Sequence, residues 1–66
     1  MHVELNGKPR EIAPGTTVAS LLRDLELGSG RVAVAVNGEV VARGEHETRE
    51  LQAGDVVEVI HAVAGG

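Results

Sequence analysis

Side chains able to do covalent chemistry are scarce in this chain of 66 residues, and none is spaced for it. His2, His46 and His61 stand far apart with no metal-ligand spacing. They read as solvated surface histidines, and no metal site is expected. Cysteine is absent, which excludes disulfides, thiolate-bound zinc, cysteine nucleophiles and persulfides. Glu45, Glu47 and Glu50 cluster in a polar stretch and read as a solvated acidic face. A carboxylate pair for acid–base work would need a cleft that raises one of the two pKa values, and a chain this short has little cleft to offer. Gly28-Ser29-Gly30 follows a helix pattern instead of opening one, so it is no phosphate cradle. What remains is the terminus. Val63-Ala64-Gly65-Gly66 leaves a strand pattern directly, and its last three residues carry nothing larger than a methyl group. Glycine lacks Cβ, so such a backbone can be threaded through a narrow channel. The reactive group would be the α-carboxylate of Gly66, ionised at neutral pH because its reference pKa is ~3.5. A carboxylate can attack the α-phosphate of ATP, and the acyl-adenylate so formed can accept sulfur or an amine.

Composition narrows the classes further. One domain over residues 1–66 is the most this length can hold, and a chain so short buries only ~60% of the surface its unfolded form exposes. With 42% apolar residues against 24% charged, a purely hydrophobic core is feasible. The complete lack of aromatic residues removes the stacking platforms of single-stranded nucleic-acid binders, and a net charge of −4 opposes phosphate-backbone binding, so no nucleic acid is expected. No apolar run approaches the ~20 residues of a membrane span, and Met1-His2-Val3-Glu4 does not resemble a signal peptide. The expectation is a soluble cytoplasmic domain with no membrane association.

The elements that must hold the terminus can be traced from alternation and turn chemistry. Valine dominates the apolar set, which favours pleated sheet. Val3 and Leu5 alternate with His2, Glu4 and Asn6 as a half-buried strand. Asn6-Gly7 then signals a type I′ hairpin turn. The return strand from Lys8 to Ile12 contains Pro9, which cannot donate to a ladder and belongs on a sheet edge. Thr16 or Thr17 can cap a helix whose stripe is Val18, Leu21, Leu22 and Leu25, with Gly28-Ser29-Gly30 ending it. Val32 to Val36 alternates large and small apolar residues, and Asn37-Gly38 turns it into a strand from Glu39 to Arg43. Gly44 to Glu50 reads as a loop or a single helical turn, and Ala53-Gly54-Asp55 turns into a last strand from Val56 to Val63. A chain that runs hairpin, helix, hairpin, strand buries its stripe by laying one helix across a mixed sheet of about five strands, an α+β roll with the first and last strands side by side in its centre. The expected core is Val3, Leu5, Val18, Leu21, Leu22, Leu25, Val34, Val36, Val57 and Val59, with Ala64-Gly65-Gly66 as a flexible tail.

Taken in order, these pieces resemble the ThiS family, the ubiquitin-like β-grasp sulfur carriers of thiamine biosynthesis. The resemblance rests on Val3-x-Leu5-Asn6-Gly7, Thr17-Val18-x-x-Leu21-Leu22 and Val34-Ala35-Val36-Asn37, followed by Leu51-x-x-Gly54-Asp55-x-Val57-x-Val59 and Val63-Ala64-Gly65-Gly66. It spans the whole chain. It implies a protein co-substrate and not an enzyme, with no bound cofactor. ATP would be used by a partner activating enzyme, a ThiF-like adenylyltransferase of the ubiquitin-activating type. A sulfurtransferase or cysteine desulfurase system would convert the Gly66 adenylate to a thiocarboxylate, and a ThiG-like thiazole synthase would receive the sulfur. Relatives with the same fold and tail serve molybdopterin synthesis or tRNA thiolation, or modify proteins as ubiquitin does. A non-catalytic β-grasp interaction module is the reading from another class.

Strand alternation also predicts a docking face. With Val57 and Val59 pointing inward, Val56, Glu58, Ile60 and Ala62 point outward, as do Ala33 and Ala35 on the neighbouring strand. Val56, Ile60, Ala33 and Ala35, with Ala64 beyond them, would form an apolar surface for the partner enzymes. Glu58 and Arg31 would steer the encounter from its rim.

Overall fold

The computed structural model describes residues 1–27 and 32–61. It contains five strands, β1 (His2–Leu5), β2 (Lys8–Glu11), β3 (Val32–Val36), β4 (Glu39–Val41) and β5 (Val56–His61), and one α-helix, α1 (Val18–Asp24). The strands form one sheet in the order β2-β1-β5-β3-β4. β1 and β5 run parallel and every other neighbouring pair is antiparallel. The expected mixed sheet, with the first and last strands adjacent and Pro9 on an edge strand, is therefore observed.

Both hairpins turn as their sequences require. Asn6 and Gly7 take φ of 50° and 85°, and Asn37 and Gly38 take 53° and 84°, the two positive values of a type I′ turn. Thr17 caps α1 through a capping box: its hydroxyl oxygen accepts from the Ser20 N–H at 3.1 Å, and its own N–H donates to Ser20 Oγ at 2.8 Å.

The far end of α1 departs from expectation. The helix stops at Asp24, before the glycines at 28 and 30, and Glu26 adopts the left-handed backbone with φ of 62°. The Leu27 N–H reaches back to the Leu22 carbonyl at 2.8 Å and the Glu26 N–H to that of Arg23 at 2.9 Å, which is the Schellman closure. Leu27 then packs against the core. Burial of Leu27 and satisfaction of two helical carbonyls thus hold a glutamate where glycine is conformationally easier. Gly28-Ser29-Gly30 itself lies outside the described residues.

The core joins the inward faces of β1, β3 and β5 to the apolar stripe of α1. Val3, Val18, Leu21, Leu22, Val34, Val36 and Val57 are buried as expected, while Leu5, Leu25 and Val59 are half-buried against them. Ile12, Val41 and Leu51 complete the core from positions outside the predicted set. The stretch read as a loop or a single helical turn does structural work. It holds a short 3-10 helix at Arg43–Glu45, and its later carbonyls cap α1, with Ala19 N–H donating to His46 O at 2.8 Å and Val18 N–H to Arg49 O at 3.0 Å. That docking buries His46, contrary to the solvated histidine expected, and its Nε2 lies 3.2 Å from the Val41 carbonyl oxygen. His2 is exposed beside Glu11, and Glu45, Glu47 and Glu50 are exposed as expected, with Glu47 paired to Arg23. Among the described residues no helix is long and apolar enough to cross a membrane.

The left-handed Glu26 gives the first prediction. Glu26→Gly removes the steric cost of positive φ at a position that keeps its hydrogen bonds, and should stabilise the fold by about 0.5–1 kcal/mol. Urea denaturation of the two proteins checks it. Loss of stability would mean that the Glu26 side chain, and not the backbone, is what the position needs.

Candidate functional site

The last strand, β5, is paired on both of its edges. Along β3 it is paired over five residues, from Val36↔Val57 to Val32↔His61. On its other side it is joined to β1 at Glu4↔Val56 and Leu5↔Val57, with the Glu4 N–H donating to Asp55 O and the Asn6 N–H to Val57 O, both at 2.9 Å.

Its start is fixed by a small polar cluster around Asp55. Gly54 enters with φ of 86°, and its N–H donates to His2 O at 2.8 Å. The Asp55 carboxylate is largely buried, and both of its oxygens are engaged. Oδ1 accepts from Asn37 Nδ2 at 3.0 Å and Oδ2 from the Gln52 N–H at 2.8 Å. Asn37 Oδ1 in turn accepts the Val56 N–H at 2.9 Å. The Asn37 and Asp55 side chains thus tie the second hairpin turn to the first residue of β5. Sequence reading assigns both residues to turns alone; the contact between them joins positions 18 residues apart.

The face of the sheet away from α1 carries the predicted docking residues. Ala33 pairs with Ile60 and Ala35 with Glu58, so these four side chains share that face with Val56. Ile60 is 66% exposed and Val56 41%, Ala33 and Glu58 are exposed, and Ala35 is half-buried. Glu58 separates Val56 from Ile60 along the strand. The register adds a residue that sequence reading did not name: Val40 pairs with Ala35 and is 79% exposed, so it extends the apolar surface across β4. Its signal was alternation along Glu39-Val40-Val41, in which Val41 faces the core. On the opposite half of the same face stand His2, Glu4, Pro9 and Glu11, paired as His2↔Glu11 and Glu4↔Pro9. The face is therefore apolar over β3, β4 and the end of β5, and acidic toward β1 and β2. Arg31, Ala62, Ala64, Gly65 and Gly66 lie outside the described residues. A separate hollow of about 220 Å³ lies between α1 and the 43–47 segment, lined by Ala19, Leu22, Arg23, Arg43, His46 and Glu47.

A mixed five-stranded sheet with parallel first and last strands at its centre and one helix across a single face is the β-grasp roll of the ubiquitin-like carriers. The family model described as ThiS family matches residues 3–66. The crystal structure of the thiamine biosynthesis protein ThiS from Geobacter metallireducens matches with a TM-score of 0.83 and 33% identity, covering 100% of both chains. The sulfur carrier protein ThiS of Escherichia coli (strain K12) is 30% identical over 66 residues, again covering all of both chains. The thiazole synthase of Magnetococcus marinus is 41% identical over 66 residues, and there this chain spans only 20% of the relative's length. The chain belongs to the ThiS family.

The Asp55 cluster supplies the second prediction. Asp55→Ala leaves the Asn37 amide and the Gln52 N–H without their acceptor and should cost about 1–3 kcal/mol. Thermal unfolding checks the size. A variant as stable as the parent would show that the cluster holds nothing together.

Proposed function

We propose that this chain carries sulfur for thiamine biosynthesis on the carboxylate of Gly66, as a protein substrate of partner enzymes and not as an enzyme itself. The observation that carries this reading is the match, over the whole chain, to the E. coli carrier and the Geobacter ThiS structure, together with a closing Gly65-Gly66. The chemistry needs nothing from the side chains. The Gly66 carboxylate attacks the α-phosphate of ATP in a ThiF-like adenylyltransferase, releasing pyrophosphate. A sulfur nucleophile supplied by a sulfurtransferase then displaces AMP and leaves a thiocarboxylate. Small residues at 64–66 suit a narrow channel in the partner, where a Cβ would crowd the approach. Thiazole synthase is the enzyme that receives the sulfur. Its support is the presence of a stretch similar to this chain within proteins named thiazole synthase, of which this chain spans about a fifth.

The partner enzymes dock on the open sheet face, with Ile60, Ala33, Ala35 and Val40 as the apolar centre, Val56 beyond Glu58, and Glu58 itself at the rim. An apolar surface with a charged border suits an encounter steered by charge and held by burial.

Mass spectrometry tests the chemistry. Incubated with its activating enzyme, ATP and a sulfur source, the protein should gain one oxygen-to-sulfur exchange on Gly66. Deleting Gly66 should abolish the exchange, and Gly65→Ala should slow it, with the melting temperature measured alongside to separate chemistry from folding. A deletion variant that still acquires sulfur would overturn the reading. The docking face is tested by Ile60→Asp, whose exposed position should tolerate the change with stability altered by no more than about 0.5 kcal/mol. Its activation should fall at least tenfold, read as a rise in KM. Activation at the parental rate would remove the face from the interface.

A further inference from the structure

The open sheet face carries acid-derived charge of one sign. Glu58 lies between Val56 and Ile60 along β5 and directly opposite Ala35 of β3. Glu4 of β1 stands beside Val56, and Glu11 of β2 stands opposite His2, whose Nε2 is 3.4 Å from Glu11 Oε1. All three glutamates are exposed. The basic residues are on the other side. Lys8 is paired with Leu5 and Arg10 with the buried Val3, and directly opposed residues share a face, so both belong to the helix side of the sheet. Arg23 is in α1, while Arg43 and Arg49 belong to the segment docked against that helix. Among the described residues, no lysine or arginine shares the open face.

Building on the docking face proposed above, we infer that the partner protein sets a cationic side chain, arginine or lysine, against the Glu58 carboxylate. That side chain belongs to a basic surface extending over Glu4 and Glu11. A partner that covers both Val56 and Ile60 also covers Glu58, because β5 places the carboxylate between them. Withdrawing a carboxylate from water without a partner strongly opposes binding, and this face has no cation of its own to offer. The same shortage disfavours a second copy of this chain as the occupant. In a two-fold pairing each copy presents the same face, and glutamates would meet glutamates. The net charge of −4 adds long-range attraction toward a basic surface and speeds the encounter.

Calorimetric titration of the full chain into its ThiF-like activating enzyme, at low and at physiological salt, tests this without requiring turnover. Glu58→Gln keeps the shape and removes the charge, and Glu58→Arg reverses it. Glu4→Gln combined with Glu11→Gln neutralises the acidic half of the face. Glu45→Gln makes a one-charge change on the 3-10 helix, away from the face. Melting temperatures are measured alongside to confirm that each variant folds. The parent should bind more weakly as salt rises. Glu58→Gln should raise Kd at least tenfold and Glu58→Arg further still. The double variant should raise Kd about threefold and flatten the salt dependence, with Glu45→Gln within twofold of the parent. A Glu58 variant that binds as tightly as the parent would overturn the cationic contact, as would a Glu45 variant that binds as weakly as Glu58→Gln. A double variant indistinguishable from the parent would overturn the wider basic surface. Sedimentation that finds a parental dimer dissociated by Ile60→Asp would make a second copy the occupant instead. Ile60→Asp also separates the two readings. If it weakens binding while Glu58→Gln does not, the docking face stands and its charge partner falls. If it binds as the parent does, or if the parent does not bind, the docking face itself falls.

Discussion

The first and last strands lie side by side and run in the same direction, and the rest of the molecule is arranged to make that possible. Parallel neighbours cannot be joined by a tight turn; they need a long crossover between them. Here the crossover is nearly the whole chain. β2 folds back along β1, α1 crosses one face of the sheet, and the second hairpin fills the far side of β5. The contacts that result are closed over some fifty residues, so their loop entropy must be recovered by burial elsewhere. The two-residue ladder between β1 and β5 does not bear this alone. It is framed by the Gly54 and Glu4 N–H bonds on one end and by the Asn6 carboxamide on the other.

Burial is achieved without a single aromatic ring. The six most enclosed large side chains are two leucines and four valines, drawn from α1, β3, β5 and the segment before β5. Stiff β-branched side chains lose little rotamer freedom on packing, which suits a core this small. The sheet is also asymmetric in depth. β3 sends Val34 and Val36 toward the helix and Ala33 and Ala35 the other way, so one face is filled and the other is thin. The thin face leaves Ile60 and Val40 standing out from it. One sheet thus packs on one side and leaves the other open, with β5 in the middle.

Much of this architecture was legible beforehand. Asn6-Gly7 and Asn37-Gly38 marked both hairpins, because few residues tolerate consecutive positive φ values. Pro9 placed β2 at an edge, since it lacks an N–H for the ladder. The Val18, Leu21, Leu22, Leu25 stripe placed the helix, and alternation in β3 and β5 sorted Ala33, Ala35, Glu58 and Ile60 onto the open face.

The residues that escaped share a different character. Ile12, His46 and Leu51 are buried from stretches that carry no apolar periodicity of their own. The closure of α1 at Glu26 depends on Leu27 packing against the core, and the Asn6 and Asn37 side chains bond strand β5 from turns 53 and 19 residues away. By itself the sequence determined the turns, the faces of each element and the edge strand, because each depends on φ preferences or on periodicity within a few residues. Only the tertiary structure decided which polar side chains complete the central ladder and which loop residues the core encloses. Those outcomes depend on which remote backbone groups lack a partner once the strands have paired, and no local pattern records that.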